Sequence, residues 1–148
     1  MGENNSVATY DPGQVIVLVN AVPLSGFSDD GMIEAEREED TFIKKVGVDG
    51  FTSRARNRNK SGEITITLQQ TSPSNDHLSA LAILDEQTGR GVVPVLIKDL
   101  SGRSVLASAF AWVRKPPASA FAKEVEDREW ILDCASLDIF TGGNTIAS

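Results

Sequence analysis

The chain has 148 residues, an apolar fraction of 41% and a formal net charge of −7. This length suits one domain, residues 1–148, with a sizeable core, and no run of about 18 apolar residues is present that would cross a bilayer. The acidic balance opposes stable nucleic-acid binding, because such affinity comes from lysine and arginine. We therefore expect a single acidic domain that neither spans a membrane nor binds DNA statically.

The two ends carry little pattern. Residues 1–6 lack the basic and apolar regions of a signal peptide, which predicts synthesis in the cytoplasm. Residues 141–148 contain Gly142-Gly143 and no periodicity. We expect the terminal segments 1–9 and 141–148 to be mobile unless a neighbour holds them. The single cysteine, Cys134, cannot form an internal disulfide and is expected to be a buried thiol.

Strand patterns dominate the first half of the chain. Residues 14–20 form a β-branched run after a turn signal, with apolar side chains on both faces, which is typical of a strand covered on both sides. Residues 32–38 alternate, whereas residues 41–46 fit either a strand or a helical turn. Residues 51–57 and 63–71 are predicted to form a hairpin around residues 58–62, with Gly62 at a left-handed turn position.

One helix is predicted over residues 74–88, or about 75–88. Pro73 fixes its own φ and keeps Ser72 out of helical geometry, so the chain changes direction there. Ser74 or Asn75 is then expected to cap the helix, with Asp76 stabilised in its first turn and Gly89 ending it. The helix has little polar surface, which predicts that it is well buried.

The second half returns to strands. Residues 92–98 and 103–114 are predicted to form a hairpin turning at residues 99–102, followed by a loop from Pro116 to Asp127. Residues 129–140 are expected to form one closing strand. The predicted fold is mainly β, an antiparallel β-sandwich or barrel with one flanking helix.

Residues with catalytic chemistry are scarce. The only histidine, His77, lies at the predicted helix start, and nothing in the sequence supplies the nucleophile and acid of a triad. No cysteine and histidine spacing suggests zinc, and no glycine-rich loop precedes a helix to hold phosphate. We predict no catalytic residue, no cofactor and no metal site, so the protein is not expected to be an enzyme.

Two charge stripes repeat at a period of two residues, so each points one way from its strand. Glu34, Glu36 and Glu38 form the acidic stripe. Arg54, Arg56 and Arg58, extended by Lys60, form the basic one. Each stripe can simply face solvent, or the two can meet within or between subunits, where opposite charges fix partner choice and register.

Several short motifs together resemble the tail tube proteins of contractile-tailed bacteriophages and of phage-tail-like bacteriocins. They are Tyr10-Asp11-Pro12, Leu24-Ser25-Gly26-Phe27, Glu36-Arg37-Glu38-Glu39-Asp40, Val46-Gly47-Val48-Asp49-Gly50, Gln69-Gln70-Thr71-Ser72-Pro73-Ser74-Asn75-Asp76, residues 99–103 with Trp112, and Val125-Glu126-Asp127-Arg128-Glu129-Trp130. Their order and spacing cover most of the chain.

The resemblance implies hexameric rings that stack into a virion tube, with an inner wall formed by a continuous β-barrel. The implied partners are other copies of the chain, the sheath, the tape-measure protein, the baseplate and the tail terminator, with DNA only in transit. Within that expectation, Glu34, Glu36 and Glu38 are candidates for the lumen. Arg54, Arg56, Arg58 and Lys60 are candidates for contacts between subunits. The alternatives are a type VI secretion-like tube and a monomeric β-sandwich binding or baseplate module.

Overall fold

The computed structural model describes residues 7–29, 32–144 and 146–147. Within them lie twelve strands, one α-helix and a short 3-10 turn at Pro12–Gln14. The elements are β1 (Val7–Ala8), β2 (Val15–Val19), β3 (Val22–Pro23), β4 (Ile33–Arg37), β5 (Phe42–Val46), β6 (Thr52–Arg56), β7 (Gly62–Gln69), α1 (Ser74–Thr88), β8 (Val93–Asp99), β9 (Val105–Lys115), β10 (Asp127–Cys134), β11 (Asp138–Phe140) and β12 (Ile146–Ala147).

The main sheet has eight antiparallel strands in the order β3-β2-β8-β9-β10-β7-β4, with β11 also paired to β9. Two smaller antiparallel pairs, β5-β6 and β1-β12, lie outside it. The prediction of a mainly β, antiparallel fold with one helix is therefore confirmed. The ambiguous segment 41–46 is a strand.

One face of the main sheet forms the core. Side chains along β7 and β10 alternate between buried and partly exposed positions, so every second residue points inward. Buried residues from β2 and β8 belong to the same cluster as those from β7 and β10, so the sheet curls around its own concave side. Trp130 is the largest fully buried side chain. A groove of about 200 Å³ remains between β4 and the β2-β8 end of the sheet.

The predicted hairpin of residues 51–57 with 63–71 is wrong. β6 pairs with β5 around a turn at residues 47–51, and β7 pairs with β4 and β10. Gly62 does not adopt a positive φ either. A Cβ at this position would lie 2.5 Å from the carbonyl oxygen of Glu36 and 2.8 Å from Leu137. Glycine is therefore needed there for close packing between strands and not for a turn.

The predicted closing strand, residues 129–140, is two strands. β10 ends at Cys134, and β11 begins at Asp138 and pairs with the first part of β9. Cys134 and Leu137 are both buried although they are three positions apart, an odd offset that would place them on opposite faces of one regular strand. The break at residues 135–137 therefore shifts the alternation by one residue, which keeps Leu137 in the core. The hairpin of β8 and β9 is confirmed.

Helix α1 ends as predicted but begins differently. Gly89 has φ 71° and its N–H donates to the Asp85 carbonyl oxygen, as expected of a terminating glycine. Neither Ser74 nor Asn75 is the cap. The N-cap is Pro73, and the Ser72 hydroxyl accepts the Ser74 N–H at 3.2 Å. Ser74 lies buried, where its hydroxyl accepts the Ser25 N–H at 2.8 Å.

Burial of α1 is also less complete than predicted. Leu78 and Leu81 enter the core, but Ile83 and Leu84 stay 52% and 42% exposed. Asn75 ties the helix start to the sheet, because its amide donates to the Gln69 carbonyl and its carbonyl oxygen accepts the Trp130 indole N–H. No helix among the described residues is long and apolar enough to cross a membrane.

The described parts of both terminal segments make contacts. Val7–Ala8 pairs with Ile146–Ala147. Arg103 donates its N–H to the Gly143 carbonyl at 2.9 Å, and the Asn144 amide donates to the Thr9 carbonyl at 3.1 Å. Residues 1–6, 145 and 148 lie outside the described residues, and the mobility of these segments stays a prediction.

Candidate assembly surfaces

The arm, residues 42–56, is the hairpin of β5 and β6 with its connecting turn. It is set apart from the main sheet, and every residue in it is exposed. Its turn is tight, since Gly50 has φ 86° and donates its N–H to the Gly47 carbonyl. An isolated two-stranded hairpin is marginally stable in water. An arm of this kind is therefore a candidate for packing against another molecule.

The two faces of the arm differ. Directly opposite residues share a face, and the pairs Phe42 with Arg56 and Lys44 with Arg54 make one face basic. The Arg54 guanidinium carbon lies 4.1 Å from the centroid of the Phe42 ring, which holds that charge against the hairpin. On the other face, Ile43 lies opposite Ala55 and Lys45 lies opposite Ser53. The arm thus presents three cations on one face, whereas the other face carries one cation beside a small apolar pair.

The basic stripe predicted from the sequence is divided by the structure. Arg54 and Arg56 are side by side in β6, but Arg58 and Lys60 follow the end of that strand. The Lys60 ammonium lies 3.5 Å from an oxygen of Asp138, an exposed ion pair within the chain. Lys44 joins Arg54 and Arg56 across the hairpin. Sequence reasoning missed it because a period-two pattern reveals neighbours within one strand only.

The base of the arm is held by one carboxylate. Glu39 accepts hydrogen bonds from the side-chain amides of Asn57 at 2.9 Å and Asn59 at 2.7 Å. The hydrogen bond from Asn57 and, as the smaller contribution, the one from Asn59 lower the pKa of the Glu39 carboxyl. These two bonds join the strands that enter and leave the arm.

The acidic face is the side of β4, β7 and β10 that points away from the core. Glu36 lies opposite Glu63, and Glu63 lies opposite Asp133 in the next strand. Glu34 occupies an equivalent exposed position on β4. Six carboxylates consequently share this face: Glu34, Glu36, Glu63, Asp127, Glu129 and Asp133.

Glu38 follows β4 and adds a seventh carboxylate to the edge of the acidic face. Its oxygen and those of Glu63 and Asp133 lie within 4.8 Å of one another. The guanidinium of Arg114 contacts two of them, at 2.6 Å from Asp133 and 2.5 Å from Glu63. Hydrogen bonds to Asp133 and then Glu63 raise the pKa of Arg114. Since the guanidinium of Arg114 bridges two of the three carboxylates, we interpret the cluster as an ion-pair network.

The three predicted acidic residues therefore meet on one surface, and the structure adds four carboxylates and Arg114 to it. Strand alternation places Glu63 and Asp133 on a definite side of each strand. Only the register between strands shows that this is the side on which Glu36 lies.

The apolar face is the corresponding outer side of the other half of the sheet. In one row Leu18 lies opposite Leu96, followed by Ala107 and, at the end, Asp138. The neighbouring row contains Ile16, Lys98, Val105 and Phe140, so one charged residue interrupts each row. Phe140 is 60% exposed. A shallow depression of about 430 Å³ runs along this surface. A patch of this kind is typical of a protein–protein contact.

Two residues singled out by the sequence have structural contacts. The His77 ring nitrogen Nε2 lies 2.9 Å from the Val19 carbonyl oxygen, which ties α1 to β2. Cys134 is 2% exposed, and burial raises the pKa of its thiol. Such a thiol is unreactive at neutral pH.

Comparisons with known proteins agree with this architecture. Residues 12–142 match the model of a family described as bacteriophage PhiTE tail tube protein. The chain is 35% identical over 145 residues to structural protein ORF10 of Pseudomonas phage KPP10, covering 93% of this chain and 84% of that protein.

Solved structures resemble the fold at low sequence identity. The anti-feeding prophage cap, which terminates the tube, superposes with a TM-score of 0.61 at 14% identity, covering 90% of this chain and 91% of that chain. A chain of the extended sheath–tube complex of the PVC extracellular contractile injection system gives 0.59 at 13% identity, covering 89% and 91%. These likenesses concern the fold. The family match and the phage relative show that the chain belongs to the PhiTE tail tube family, the structural proteins of bacteriophage tails.

Proposed function

We propose that six copies of the chain close into a ring, that rings stack into the tail tube, and that the acidic face lines the passage through which DNA leaves. The observation that carries the proposal is the four-stranded strip formed by β4, β7, β10 and the second half of β9. Among the described strands, β4 pairs only with β7, and residues 112–115 of β9 pair only with β10. The strip thus has two free edges.

Ring closure would join these edges. An unpaired strand edge is a template for pairing with another chain, and a closed barrel removes it. Neighbouring strands lie about 4.8 Å apart, so four strands from each of six copies give a circumference of about 115 Å and a diameter of about 37 Å. Side chains occupy about 5 Å on each wall, half the spacing of stacked sheets, leaving a passage of about 27 Å. That width suits a nucleic-acid duplex.

The charge of the strip supports its placement at the lumen. Among its outward side chains the carboxylates outnumber the two cations, Arg114 and Lys115. Glu34, Glu36 and Glu38 lie along the free edge strand and its continuation. DNA is repelled by such a wall at short range, since the screening length is about 8 Å at physiological salt. A conduit benefits from a wall to which its cargo does not adhere.

The arm is proposed to form the contact between stacked rings. Exposed ion pairs contribute only about 0–1 kcal/mol each, but every ring would present six copies of Lys44, Arg54 and Arg56. Arg58 and Lys60 lie at the base of the arm and would contribute at its margin. A sheath and a tube terminator are the expected outer and end partners, as the contractile-injection neighbours suggest. The tape-measure protein and the baseplate complete the proposed assembly, which is made in the host cytoplasm.

Electron microscopy of the purified protein and of virions tests the assembly. Hollow tubes with six-fold symmetry are expected. A protein that stays monomeric at high concentration and shows no tube in virions would contradict the proposal and favour a monomeric module.

The lumen assignment needs a charge-matched pair of variants. Replacement of Glu34, Glu36 and Glu38 by lysine should leave tubes intact but slow or block genome ejection. The control replaces Glu86, Glu124 and Glu126, three exposed carboxylates off the acidic face, with the same change in net charge. Equal ejection rates in the two variants, or a map with the acidic stripe facing the sheath, would overturn the assignment.

Substitution of Lys44, Arg54 and Arg56 by serine tests stacking. The folded subunit and its circular dichroism should not change, while assembly shifts from tubes to rings or single subunits. Serine at Arg90, Lys98 and Lys123, which removes three exposed cations elsewhere, is the control. Normal tube length and salt resistance in the arm variant would exclude the arm as the stacking contact.

A further inference from the structure

A buried arginine lines a cleft at one end of the main sheet. Arg128, near the start of β10, is only 7% exposed. Its guanidinium donates to the carbonyl oxygens of Ala120 at 2.9 Å and Asp127 at 3.2 Å, and lies 5.4 Å from the centroid of the Phe121 ring. Within the described part of the chain, no carboxylate lies within ion-pair distance of it.

The cleft has a volume of about 350 Å³ and combines this charge with apolar and uncharged polar side chains. Pro117 and Phe121 are among its apolar lining residues, and Gln70 and Asn75 are among its polar ones. Phe121 is 83% exposed. A guanidinium removed from water gains most from a carboxylate, which it binds through two parallel hydrogen bonds. The chemistry of the cleft therefore fits a carboxylate carried on an apolar segment.

The tip of the arm has this composition. Asp49 is the only acidic residue between positions 42 and 56. One of its oxygens accepts the Phe51 N–H at 3.1 Å, which leaves the other oxygen free of hydrogen bonds within the described residues. Val48 is fully exposed and Phe51 is 71% exposed. An exposed carboxylate thus stands between two exposed apolar side chains.

The cleft and the arm lie at opposite ends of the same strands. Arg128 pairs with Leu68 at one end of β7, whereas Gly62, at its other end, leads from the arm. A contact between the tip of one copy and the cleft of the next is head-to-tail. Contacts of this type produce open filaments when they do not close into a ring.

We propose that Asp49, at the arm tip of one copy, inserts into the Arg128 cleft of a copy in the adjacent ring. The site takes a carboxylate from a second copy of this chain, with Val48 and Phe51 packing against Pro117 and Phe121. This inference rests on the proposed stacking function and names its contact. Leu68 lies directly opposite Arg128 and is 19 positions after Asp49 in the chain. At 3.3 Å per residue, the arm tip and the cleft of one copy are therefore at most about 63 Å apart, and this distance is the upper limit of the rise from ring to ring.

Charge reversal at the tip tests the contact without disturbing the fold. Asp49→Lys should leave rings intact but weaken stacking by about tenfold or more, the scale of one lost charge-assisted pair of about 1.4 kcal/mol. Asp40→Lys makes the same charge change at the exposed base of the arm and should stack normally. Tube length by electron microscopy and sedimentation are the readouts. Normal tubes from Asp49→Lys, or equal loss in the two variants, would overturn the proposal.

A disulfide cross-link tests the geometry directly. With a mild oxidant added, Val48→Cys and Ser119→Cys in separate chains, which both keep Asp49 and Arg128, should form a disulfide in mixed tubes and not in mixed single subunits, while buried Cys134 does not react. Absence of the cross-link in tubes contradicts the contact. The double variant Asp49→Lys with Arg128→Glu should restore stacking, and if that subunit fails to fold, the cross-link decides. Wild-type protein that forms no tubes refutes the proposed function, whereas normal wild-type tubes with an unaffected tip variant refute this contact alone.

Discussion

The chain from β4 to β7 contains two antiparallel strand pairs that differ in the burial of their side chains. Close to the sheet, β4 and β7 pair around a core in which Ile64 and Ile66 are completely buried. Farther out, β5 and β6 pair equally regularly, yet Ile43 is 59% exposed. Backbone pairing alone therefore does not distinguish a stabilising hairpin from one that is available to a partner. The two pairs differ in whether their side chains have a second layer to pack against. We therefore expect the stability of the single subunit to depend on the body, meaning the main sheet with α1, and assembly to depend on the arm.

The largest loss of stability should follow removal of the central body side chain. Trp130→Ala deletes a buried indole and leaves the Asn75 carbonyl oxygen without its donor, so about 3–5 kcal/mol of unfolding free energy should be lost. Urea unfolding of the single subunit measures it. Trp112→Ala, on the outer side of β9, is the control and should cost much less. Equal losses would mean that the core is not centred on Trp130.

Paired isoleucine substitutions compare the two regions directly. Ile66→Ala in the body should cost about 2–5 kcal/mol because it creates a cavity. Ile43→Ala in the arm should change the unfolding free energy by less than about 0.5 kcal/mol, as other exposed substitutions do. Denaturant midpoints of the two subunits provide the measurement. A large loss from Ile43→Ala would show that the arm packs against its own subunit.

The junction between the regions is sensitive at Gly62. Gly62→Ala forces a Cβ against the Glu36 backbone and should destabilise the subunit by about 1–3 kcal/mol. Gly47→Ala, in the arm, meets only an Asp49 oxygen at 3.1 Å and a carbonyl at 3.6 Å, so it should be nearly neutral. Thermal unfolding of both variants measures the two losses of stability. A larger loss from Gly47→Ala than from Gly62→Ala would contradict the prediction.

The smallest effect is expected at the exposed base of the arm. The pKa of Glu39 is lowered from its ordinary value of 4.5, so its stabilising contribution is present above that pH and lost as the pH falls through the folded-state value. The difference between wild type and Glu39→Gln should therefore shrink below about pH 4.5. NMR titration of Glu39 and unfolding at several pH values measure it. A difference that does not vary with pH would exclude this linkage.

The sequence by itself determined the features that depend on local physics. The mainly β class, the hairpin of β8 and β9, and the helix ended by Gly89 follow from alternation, turn residues and the left-handed freedom of glycine. Part of each charge stripe was also readable, because side chains at a period of two share a face of a strand, as Glu34 and Glu36 do in β4 and Arg54 and Arg56 do in β6.

Only the tertiary structure decided which strands pair and what the stripes join. The sequence predicted that residues 51–57 pair with the segment that follows them, across residues 58–62, whereas β6 pairs with the preceding strand, β5, across the turn at residues 47–51. Gly62 serves a close approach to Glu36 and Leu137, a contact with residues distant in sequence. The acidic face similarly depends on the register of β4, β7 and β10, which is fixed by the packing of their opposite faces in the core. Nothing within a single strand encodes that register.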